Sequence, residues 1–556
     1  MTRTLPQWGS NILEACLSLG QRHHHHLFVT MKTETVGQGL STVNLEQTTY
    51  TLDEALDTFG LGRFQIFIIA IGGLAYTADS MEIMVLSFLG PIMKCQYQIT
   101  PDEEASMTMV VFIGMCIGAY VFGIMSDLYG RKLGALSTAL MCTFGGIGSA
   151  FVQTYSAFIT VRFIVGLGMG GVPVAYSWVM EFVPSKERGK VGVIVQSFWT
   201  FGTVFQALVA WATLSSVGWR WMLIVTALPL LVMLSLFCYV PESPRYLLAK
   251  GEQDKAVAIV AKIADYNNTT LPNGSLHGRQ KSKVEQQEQQ STLCEKSTEI
   301  FFGKNQHDTI LLLVIWFSNA CCYYGTVLLT TELLVLRKRE NEGSGGEVYM
   351  NTNHTCVGTS CDILCSDVFE GRDFGQILVS ALGETPGMLL TLVIVDRLGR
   401  RLSQTILFFI GALLVIILGC VARSETGDSI ILFLLRAIYI GTFTIVYIYT
   451  PERYSTKVRS TAMGFLVAFS RFGGMLSPFI SQAAPDQGAV WVPFVFYSLL
   501  SVAAGTASYK LNVETAGARL DEMTLSTTPS IKFGTGDGLG EKADTSGPFQ
   551  KLNEPL

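Results

Sequence analysis

Charged side chains are scarce in this sequence. Asp, Glu, Lys and Arg make up 15% of its 556 residues, whereas a typical soluble protein carries about 25%. The net charge of −5 gives no support for a nucleic-acid partner, since nucleic-acid-binding domains are typically basic. The chain also lacks a G-x-x-x-x-G-K-[ST] motif for ATP phosphates. These absences argue against a soluble enzyme, a nucleic-acid partner and an ATP-driven pump. We expect no enzyme activity, no cofactor and no metal site.

The apolar residues, 49% of the chain, are concentrated in twelve long blocks. Leu133–Val152 and Leu402–Ala422 each hold about 20 residues without an acidic or basic side chain, the length that a helix needs to cross a bilayer. A segment in lipid must satisfy its own backbone hydrogen bonds, so such blocks predict helices. The predicted limits of spans 1 to 12 are 64–88, 107–126, 133–152, 156–179, 191–212, 220–240, 309–334, 374–395, 402–422, 429–449, 461–483 and 490–509.

Lysine and arginine are clustered after even-numbered spans, namely after spans 2, 4, 8 and 10. Loops after odd-numbered spans are poor in these residues, apart from Arg337-Lys338-Arg339 in the long loop after span 7. Basic residues in short loops favour the cytosolic side. We therefore expect a multi-pass protein of the plasma membrane or an intracellular vesicle, with both termini in the cytosol.

The polar stretches divide the chain into five predicted parts. These are a cytosolic tail at 1–60, a six-helix bundle at 61–242, a cytosolic linker at 243–308, a second six-helix bundle at 309–512, and a disordered cytosolic tail at 513–556. Four consecutive histidines, His23–His26, are interpreted as part of the solvated first tail rather than as metal ligands. The linker is predicted to contain a helix within Ser243–Asp265 and a mobile, Gln-rich stretch after it.

The two halves of the sequence repeat one another at an offset of about 270 positions. A regular offset between chemically distinctive residues is the signature of an internal duplication. Duplicated six-span halves predict two bundles with a site between them near the middle of the membrane. The equivalent pairs are Asp127 and Asp396, Gly130 and Gly399, Arg131 and Arg400, Arg162 and Arg436, Glu181 and Glu452, Arg188 and Arg459, and Glu242 and Glu514.

Several motifs resemble those of a known family. GIMSDLYGRK at 123–132, PESPRYL at 241–247 and YTPERY at 449–454 resemble the signatures of the major facilitator superfamily, in its sugar-porter and organic-ion branch. ADSME at 78–82 and GWRW at 218–221, with the large loop at 337–373, make the chain similar to the synaptic vesicle 2-related protein-like group. One departure is VETAG at the end of span 12, where the family has Pro-Glu-Thr-Lys-Gly.

The resemblance implies an all-α membrane protein with twelve transmembrane helices in two pseudo-symmetric bundles. It implies a monomeric secondary transporter of a small organic ion that works by alternating access. It also implies ion pairs at the repeated turns, which clamp the cytosolic side while the protein is open to the other side. The residues of this predicted gate are Asp127, Gly130, Arg131, Glu181, Arg188, Asp396, Gly399, Arg400, Glu452 and Arg459.

Ionisable residues inside predicted spans are candidate functional groups, because charge within a bilayer is costly, by about 2.5–3.5 kcal/mol. Asp79 and Glu82 of span 1 lie three residues apart and so share a helix face. Two close carboxylates do not both ionise readily, so the pair predicts a proton or cation site. The alternative is an interhelical hydrogen bond or pairing with an arginine. Arg162 and Arg436 are predicted to lock helices together rather than to bind substrate.

The substrate class depends on Arg471 in span 11. It matches a position where the organic-ion branch is basic in anion carriers and acidic in cation carriers, so the resemblance favours an organic anion. The alternative is a structural pair with Glu384. Glu384 precedes Pro386-Gly387 in span 8, a helix break of the kind that lines transport sites. Tyr323-Tyr324 in span 7 predict either an aromatic cavity wall or ordinary packing.

Two other functions stay open from the sequence. An organic cation or amine carrier would use Asp79, Glu82 and Glu384 as counter-charges. A non-transporting protein on a transporter fold would use its loops or tails to bind or traffic a partner. Oxidising conditions on the far side of the membrane predict one or two disulfides and a glycosylated asparagine. The residues concerned are Cys95, Cys356, Cys361, Cys365 and Asn353.

Overall fold

The computed structural model describes residues 49–276, 293–302, 305–341, 368–420, 424–454 and 458–515. Within these ranges the regular structure is helical, apart from the two-residue strands Thr49–Tyr50 and Ser275–Leu276, which pair in parallel. Eleven helices in the described ranges are long and apolar enough to cross a membrane. Arg131–Ser149, a helix of 19 residues at the place of predicted span 3, is not among the eleven, since Arg131 and Lys132 at its start lower the mean hydropathy of so short a helix.

The twelve spans keep their predicted numbers here. Four of them consist of successive helical segments. Four further helices, Leu52–Phe59, Pro244–Ala249, Gln253–Tyr266 and Leu293–Phe302, lie outside the spans. The spans are Arg63–Tyr97, Pro101–Tyr129, Arg131–Ser149, Tyr155–Gly170 with Val172–Met180, Arg188–Leu214, Trp219–Thr226 with Leu228–Leu236, Gln306–Asn341, Gly371–Leu382 with Glu384–Leu398, Arg400–Cys420, Glu425–Arg453, Arg459–Pro478 with Phe479–Ala483 and Ala484–Asp486, and Val492–Lys510.

Span 1 extends well beyond its predicted end at residue 88. The helix passes Pro91 and continues to Tyr97, and it stops where Gln98 adopts a left-handed conformation with φ of 51°. The apolar block ends earlier because Lys94 and its neighbours are polar. A helix that is buried in a bundle tolerates such residues when other helices supply partners for them.

The packing of the spans follows the internal duplication. In the first half, span 1 packs against span 5, span 2 against span 4 and span 3 against span 6. In the second half, span 7 packs against span 11, span 8 against span 10 and span 9 against span 12. Between the halves, spans 2 and 11 are in contact, as are spans 5 and 8. Each contact is matched by its equivalent six spans later, as expected for two related bundles.

Glycines bring equivalent helices into close contact in each half. A Cβ on Gly118 of span 2 would overlap the backbone oxygen of Leu167 in span 4. A Cβ on Gly387 of span 8 would overlap the backbone oxygen of Ala437 in span 10. Small residues at such crossings allow membrane helices to pack backbone against backbone. In the sequence, Gly387 is part of a predicted helix break. In the structure it allows spans 8 and 10 to pack closely at this position.

The repeated turns after spans 2 and 8 are stabilised in the same way. Gly130 and Gly399 begin the next helix with φ of 117° and 81°, which glycine adopts without strain. The carboxylate of Glu242 accepts a hydrogen bond from the backbone at the start of span 3 at 3.1 Å. That of Glu514 accepts one from the start of span 9 at 2.8 Å. A carboxylate at a helix N-terminus satisfies free N–H groups and the helix dipole, which explains why both glutamates recur.

Replacing Gly399 with alanine is expected to destabilise the protein by about 1–2 kcal/mol, because its positive φ strains any other residue. The added Cβ would also lie 2.8 Å from Glu514 Cδ. A thermal unfolding curve of the purified protein measures the effect. Gly375→Ala is the matched control, since Gly375 is helical and a Cβ there meets nothing within 4 Å. Equal melting temperatures for the two variants would contradict this account of the turn.

The short helix Leu52–Phe59 docks on the first half through Asp53. The Asp53 carboxylate accepts hydrogen bonds from Arg188 at 3.1 Å and Ser185 at 2.9 Å, and it forms an ion pair with Arg245. Partial burial raises the pKa of Asp53, but the bonds and charges from Arg245, Ser185 and Arg188 together leave it below its ordinary value. The ionised carboxylate is therefore the form that holds the helix, and docking weakens as the pH falls through the lowered pKa.

Asp53→Asn is expected to loosen this helix at neutral pH without unfolding the spans. Asp53 is 42% exposed, and exposed pairs contribute at most about 1 kcal/mol each, so loss of the pairs with Arg188 and Arg245 should quicken amide exchange over 52–59 by no more than about thirty-fold. Hydrogen–deuterium exchange of that segment is the measurement. Lys255→Gln removes one charge from an exposed pair elsewhere and should leave the segment unchanged. Equal exchange in Asp53→Asn and the wild type would show that Asp53 does not hold the helix.

Candidate functional site

A cavity of about 810 Å³ lies between the two halves. Its walls come from spans 1, 2, 4 and 5 of the first half and spans 8, 10 and 11 of the second. Arg131, Arg188 and Pro451, at helix ends next to the loops after even-numbered spans, line its mouth. We call the side of the molecule that carries these loops the basic face. The cavity therefore opens toward the basic face.

The cavity carries positive charge on an otherwise apolar and aromatic wall. Among the described residues that line it, the charged ones are Arg131, Arg188 and Arg471. Arg471 lies at its deep end on span 11 and the other two lie at the mouth. A cleft lined by charge of one sign raises the local concentration of the opposite ion. The arrangement suits an anion that enters past the mouth and meets Arg471 last.

A smaller chamber of about 60 Å³ continues the deep end of the cavity, and we call it the apex chamber. Arg471 belongs to both spaces and donates a hydrogen bond to the Tyr324 hydroxyl at 3.1 Å. Asp79, from the opposite half, also lines the chamber. It is 7% exposed, and its Oδ1 has no hydrogen-bond partner. The residues that line the apex chamber are Tyr76, Asp79, Val172, Pro173, Gln196, Trp199, Tyr323, Tyr324, Ile440, Phe443, Tyr447 and Arg471.

Glu82 forms a buried ion pair with Arg162. Arg162 Nη1 lies 2.8 Å from Glu82 Oε2, and both side chains are almost fully buried. The pair joins span 1 to span 4, two helices of the same half. The sequence left open that Asp79 or Glu82 pairs with an arginine. Among the described residues such an ion pair is present at Glu82 and not at Asp79. Both carboxylates border an internal void of about 10 Å³, roughly the space that one water occupies.

Glu384 is held by residues of both halves and does not pair with Arg471. It lies 3.7 Å from Arg436 Nε, and it accepts hydrogen bonds from the hydroxyls of Tyr323 at 2.9 Å and Thr203 at 3.1 Å. The carboxylate is fully buried and is not among the residues that line the cavity or the apex chamber. The alternative pairing of Glu384 with Arg471 is therefore not what the structure contains.

Hydrogen bonds in the middle of the molecule connect the two halves. Trp199 of span 5 donates to the Tyr323 hydroxyl of span 7 at 2.7 Å, in addition to the Thr203–Glu384 bond. Tyr324 packs its ring against Phe112 of span 2, with centroids 4.9 Å apart. Tyr323 and Tyr324 therefore line the wall of the apex chamber and also make packing contacts between helices. Sequence reasoning missed Thr203, since a threonine in an apolar block carries no charge signal.

The predicted gate residues form ion pairs inside each half. Arg131 pairs with Asp127 at 2.6 Å and with Glu181 at 3.2 Å. Arg400 pairs with Glu452 at 3.2 Å, which is the equivalent contact of the second half. These pairs fasten the turns after spans 2 and 8 to the ends of spans 4 and 10. They do not join one half to the other while the cavity is open to the basic face.

Other predicted gate and loop residues lie apart from these pairs. Arg188 contacts Asp53, and Arg459 donates to the backbone oxygen of Tyr454 at 3.3 Å. Asp396 is exposed. Cys95 is disulfide-bonded. The other predicted disulfide and glycosylation residues lie outside the described ranges, and these are Cys356, Cys361, Cys365 and Asn353.

Comparison with known proteins decides the family. The profile of the family described as "Sugar (and other) transporter" matches residues 66–369 and 374–526. This chain belongs to that family. It is therefore a multi-pass membrane protein of the major facilitator superfamily and not an enzyme, as predicted.

Two relatives and one solved structure show how far the likeness extends. The synaptic vesicle 2-related protein of Rattus norvegicus is 36% identical over 85% of this chain and 83% of its own length. The organic cation/carnitine transporter 7 of Arabidopsis thaliana is 34% identical over 87% of this chain and 98% of its own length. The inward-open xylose transporter XylE from E. coli superposes with a TM-score of 0.61 at 17% identity, over 83% of this chain and 99% of that one. The predicted major facilitator fold is confirmed.

Proposed function

We propose that this protein is a secondary transporter that moves a small organic anion through the central cavity by alternating access. The observation that carries the proposal is the position of Arg471 at the deep end of a cavity whose charged lining residues, among those described, are all arginines. A guanidinium presents a planar set of donors that matches a carboxylate or sulfonate. Arg471 is thus the proposed ligand of the anionic group.

The rest of the cavity supports an amphipathic substrate. Its volume of about 810 Å³ is in the range of pockets that enclose drug-sized molecules. Aromatic rings surround Arg471, with Tyr76 and Tyr447 shared by the cavity and the apex chamber. Such walls suit an aromatic or alicyclic body attached to the anionic group. An organic carboxylate or sulfonate meets both requirements.

Asp79 is the proposed proton carrier. It is a buried carboxylate without a partner at Oδ1, whereas Glu82 three residues further on is bound to Arg162. A buried carboxylate that forms no ion pair among the described residues takes up a proton more readily than a paired one. Asp79 and Arg471 come from opposite halves and line one chamber. In this proposal the proton on Asp79 and the anion on Arg471 therefore bind in the same apex chamber.

Alternating access would proceed by rocking the two halves around this chamber, as in other duplicated transporters. The proposed orientation puts the basic face in the cytosol, together with both termini, because that face carries the arginine-rich short loops. The cavity then opens to the cytosol in this conformation, and the partner ion is supplied by a gradient. The plasma membrane and an intracellular vesicle are both consistent with this orientation.

An organic cation or zwitterion is the second candidate substrate. The Arabidopsis relative is named an organic cation/carnitine transporter. In this chain Asp79 lies among the rings of Tyr76, Tyr323 and Tyr324, and aromatic faces attract ammonium groups. The opposing feature is Arg471 in the same chamber, which would repel a simple cation.

Ligand binding to the purified protein tests the proposal. Thermal unfolding is followed with benzoate, hippurate, taurocholate and a naphthalene sulfonate, and in parallel with choline, tetraethylammonium and carnitine. A ligand that binds only the folded state raises the melting temperature with its concentration. We expect stabilisation by at least one anion and its loss in Arg471→Gln. Stabilisation by the cations alone would favour the second candidate, and no response to either group would favour a non-transporting binding partner.

A further inference from the structure

Charged residues from both halves meet at the face opposite the basic face. Lys94 stands near the end of span 1 and Glu104 in the first turn of span 2, both in the first half. Gln482 and Asp486 stand at the end of span 11, in the second half. We call these four residues the latch.

The latch joins a carboxylate from each half through one ammonium group. Lys94 Nζ lies 3.2 Å from Glu104 Oε2 and forms an ion pair with Asp486 across the interface. Gln482 Nε2 donates a hydrogen bond to Glu104 Oε1 at 3.0 Å, again across the interface. Lys94 and Glu104 thus each connect the first half to the second, Lys94 through Asp486 and Glu104 through Gln482.

The ion pairs of the latch are largely removed from water. The side chain of Glu104 is 1% exposed, that of Asp486 is 7% exposed and that of Lys94 is 20% exposed. Glu332 of span 7 also acts on the charge of Lys94. Removing one partner of a buried ion pair leaves an uncompensated charge. Without Lys94, carboxylates from both halves would repel one another at this face.

Two backbone features, a glycine in span 1 and a π-helical turn in span 11, bring the latch residues into contact. A Cβ on Gly90 of span 1 would overlap both Glu104 Oε1 and Gln482 Nε2, so glycine is needed where spans 1, 2 and 11 converge. Span 11 changes to a π-helix over Phe479–Ala483, directly where Gln482 turns toward Glu104. Single π-helical turns are frequently found at functional sites. Ser481 fixes this turn by donating to the backbone oxygen of Gly325 at 2.8 Å.

The opposite face is therefore connected across the halves, whereas the ion pairs of Arg131 and Arg400 at the basic face stay within one half. We propose that the latch closes the opposite face while the cavity is open to the basic face, and that it must break before the cavity opens the other way. Lys94 is a positioning residue in this scheme. The proposal rests on the alternating access of the proposed function.

Cys116 reports which face the cavity is open to. It is a free, half-buried cysteine in the cavity wall. A membrane-impermeant maleimide is added to sealed vesicles of each orientation, and its reaction at Cys116 is quantified by peptide mass spectrometry. Wild-type protein should react mainly from the basic face. Lys94→Met should raise the ratio of opposite-face to basic-face labelling by about ten-fold, the shift that loss of one ion pair produces in a two-state equilibrium.

Two variants separate loss of the latch from loss of the fold. Lys94→Arg keeps the cation and should label like the wild type. Lys94→Asp combined with Asp486→Lys exchanges the charges across the interface and should return the ratio toward the wild-type value. A wild-type ratio in Lys94→Met, with normal monodispersity and melting temperature, would overturn the latch. Shifted labelling in a protein that binds and moves none of the probe ions would uphold the latch and overturn the transport proposal instead.

Discussion

Arg471→Gln is expected to reduce uptake of an organic anion by about 30-fold or more, since removing one partner of a desolvated charge pair typically costs about 2–5 kcal/mol. Arg471 is at the deep end of the cavity and donates to Tyr324, so its guanidinium is held in place before substrate arrives. Glutamine keeps an N–H donor, on a shorter side chain, and removes the charge. Arg471→Lys should retain partial uptake, because an ammonium group attracts the anion without the paired donors.

The measurement is initial uptake of a radiolabelled anion from the binding panel into proteoliposomes. Arg397→Gln is the matched control, since Arg397 is exposed and lies outside the cavity lining. It should transport like the wild type. If Arg471→Gln and Arg397→Gln both kept full anion uptake, Arg471 would have no role in binding. Gain of choline uptake in Arg471→Gln would show instead that this residue selects against cations.

Asp79→Asn is expected to make uptake independent of the pH gradient. Asparagine occupies nearly the same space but takes up no proton, so the coupled ion loses its carrier. Uptake down a substrate gradient should continue, because the Arg471 side of the apex chamber is unchanged. The ratio of uptake with an imposed pH gradient to uptake without one should therefore fall to about one, since no proton-linked free energy is transmitted.

Asp79→Glu is the control for this result, because it keeps a titratable carboxyl and should keep some gradient dependence. Glu82→Gln provides a second comparison. Glu82 is bound to Arg162, so its loss should lower the melting temperature by leaving a buried arginine unpaired. A wild-type gradient ratio in Asp79→Asn would assign the proton to another group.

The duplicated landmarks were the most informative part of the sequence. The φ values of Gly130 and Gly399 and the caps from Glu242 and Glu514 match across the halves. Such features are local, since a turn and its cap depend on a few neighbouring residues with characteristic side chains. Sequence alone therefore located both turns and paired them correctly.

Partners across helices were harder to predict. Arg436 was expected to lock helices, but its partner Glu384 was interpreted as a site residue and as an alternative partner of Arg471. The choice depends on which faces of spans 8, 10 and 11 meet, and hydrophobicity alone leaves the rotation of a buried helix open. The rotation becomes visible only with the glycine contacts that fix how spans 8 and 10 cross.

The latch was missed for a different reason. Lys94 lies beyond the predicted end of span 1 at residue 88, so the sequence places it outside the spans. Charges near span ends are common, and positive-inside statistics treat them as orientation signals. Only the extension of the helix to Tyr97 brings Lys94 against Glu104 and Asp486. A buried charge cluster can thus form from residues that look ordinary in sequence.

The most direct test of the whole account is uptake by the purified wild-type protein in liposomes, with and without an inward proton gradient, over the same panel of anions and cations. The account predicts saturable uptake of at least one amphipathic carboxylate or sulfonate, faster with the gradient and dependent on Arg471. A folded, monodisperse protein that moves none of the anions under either condition would contradict it.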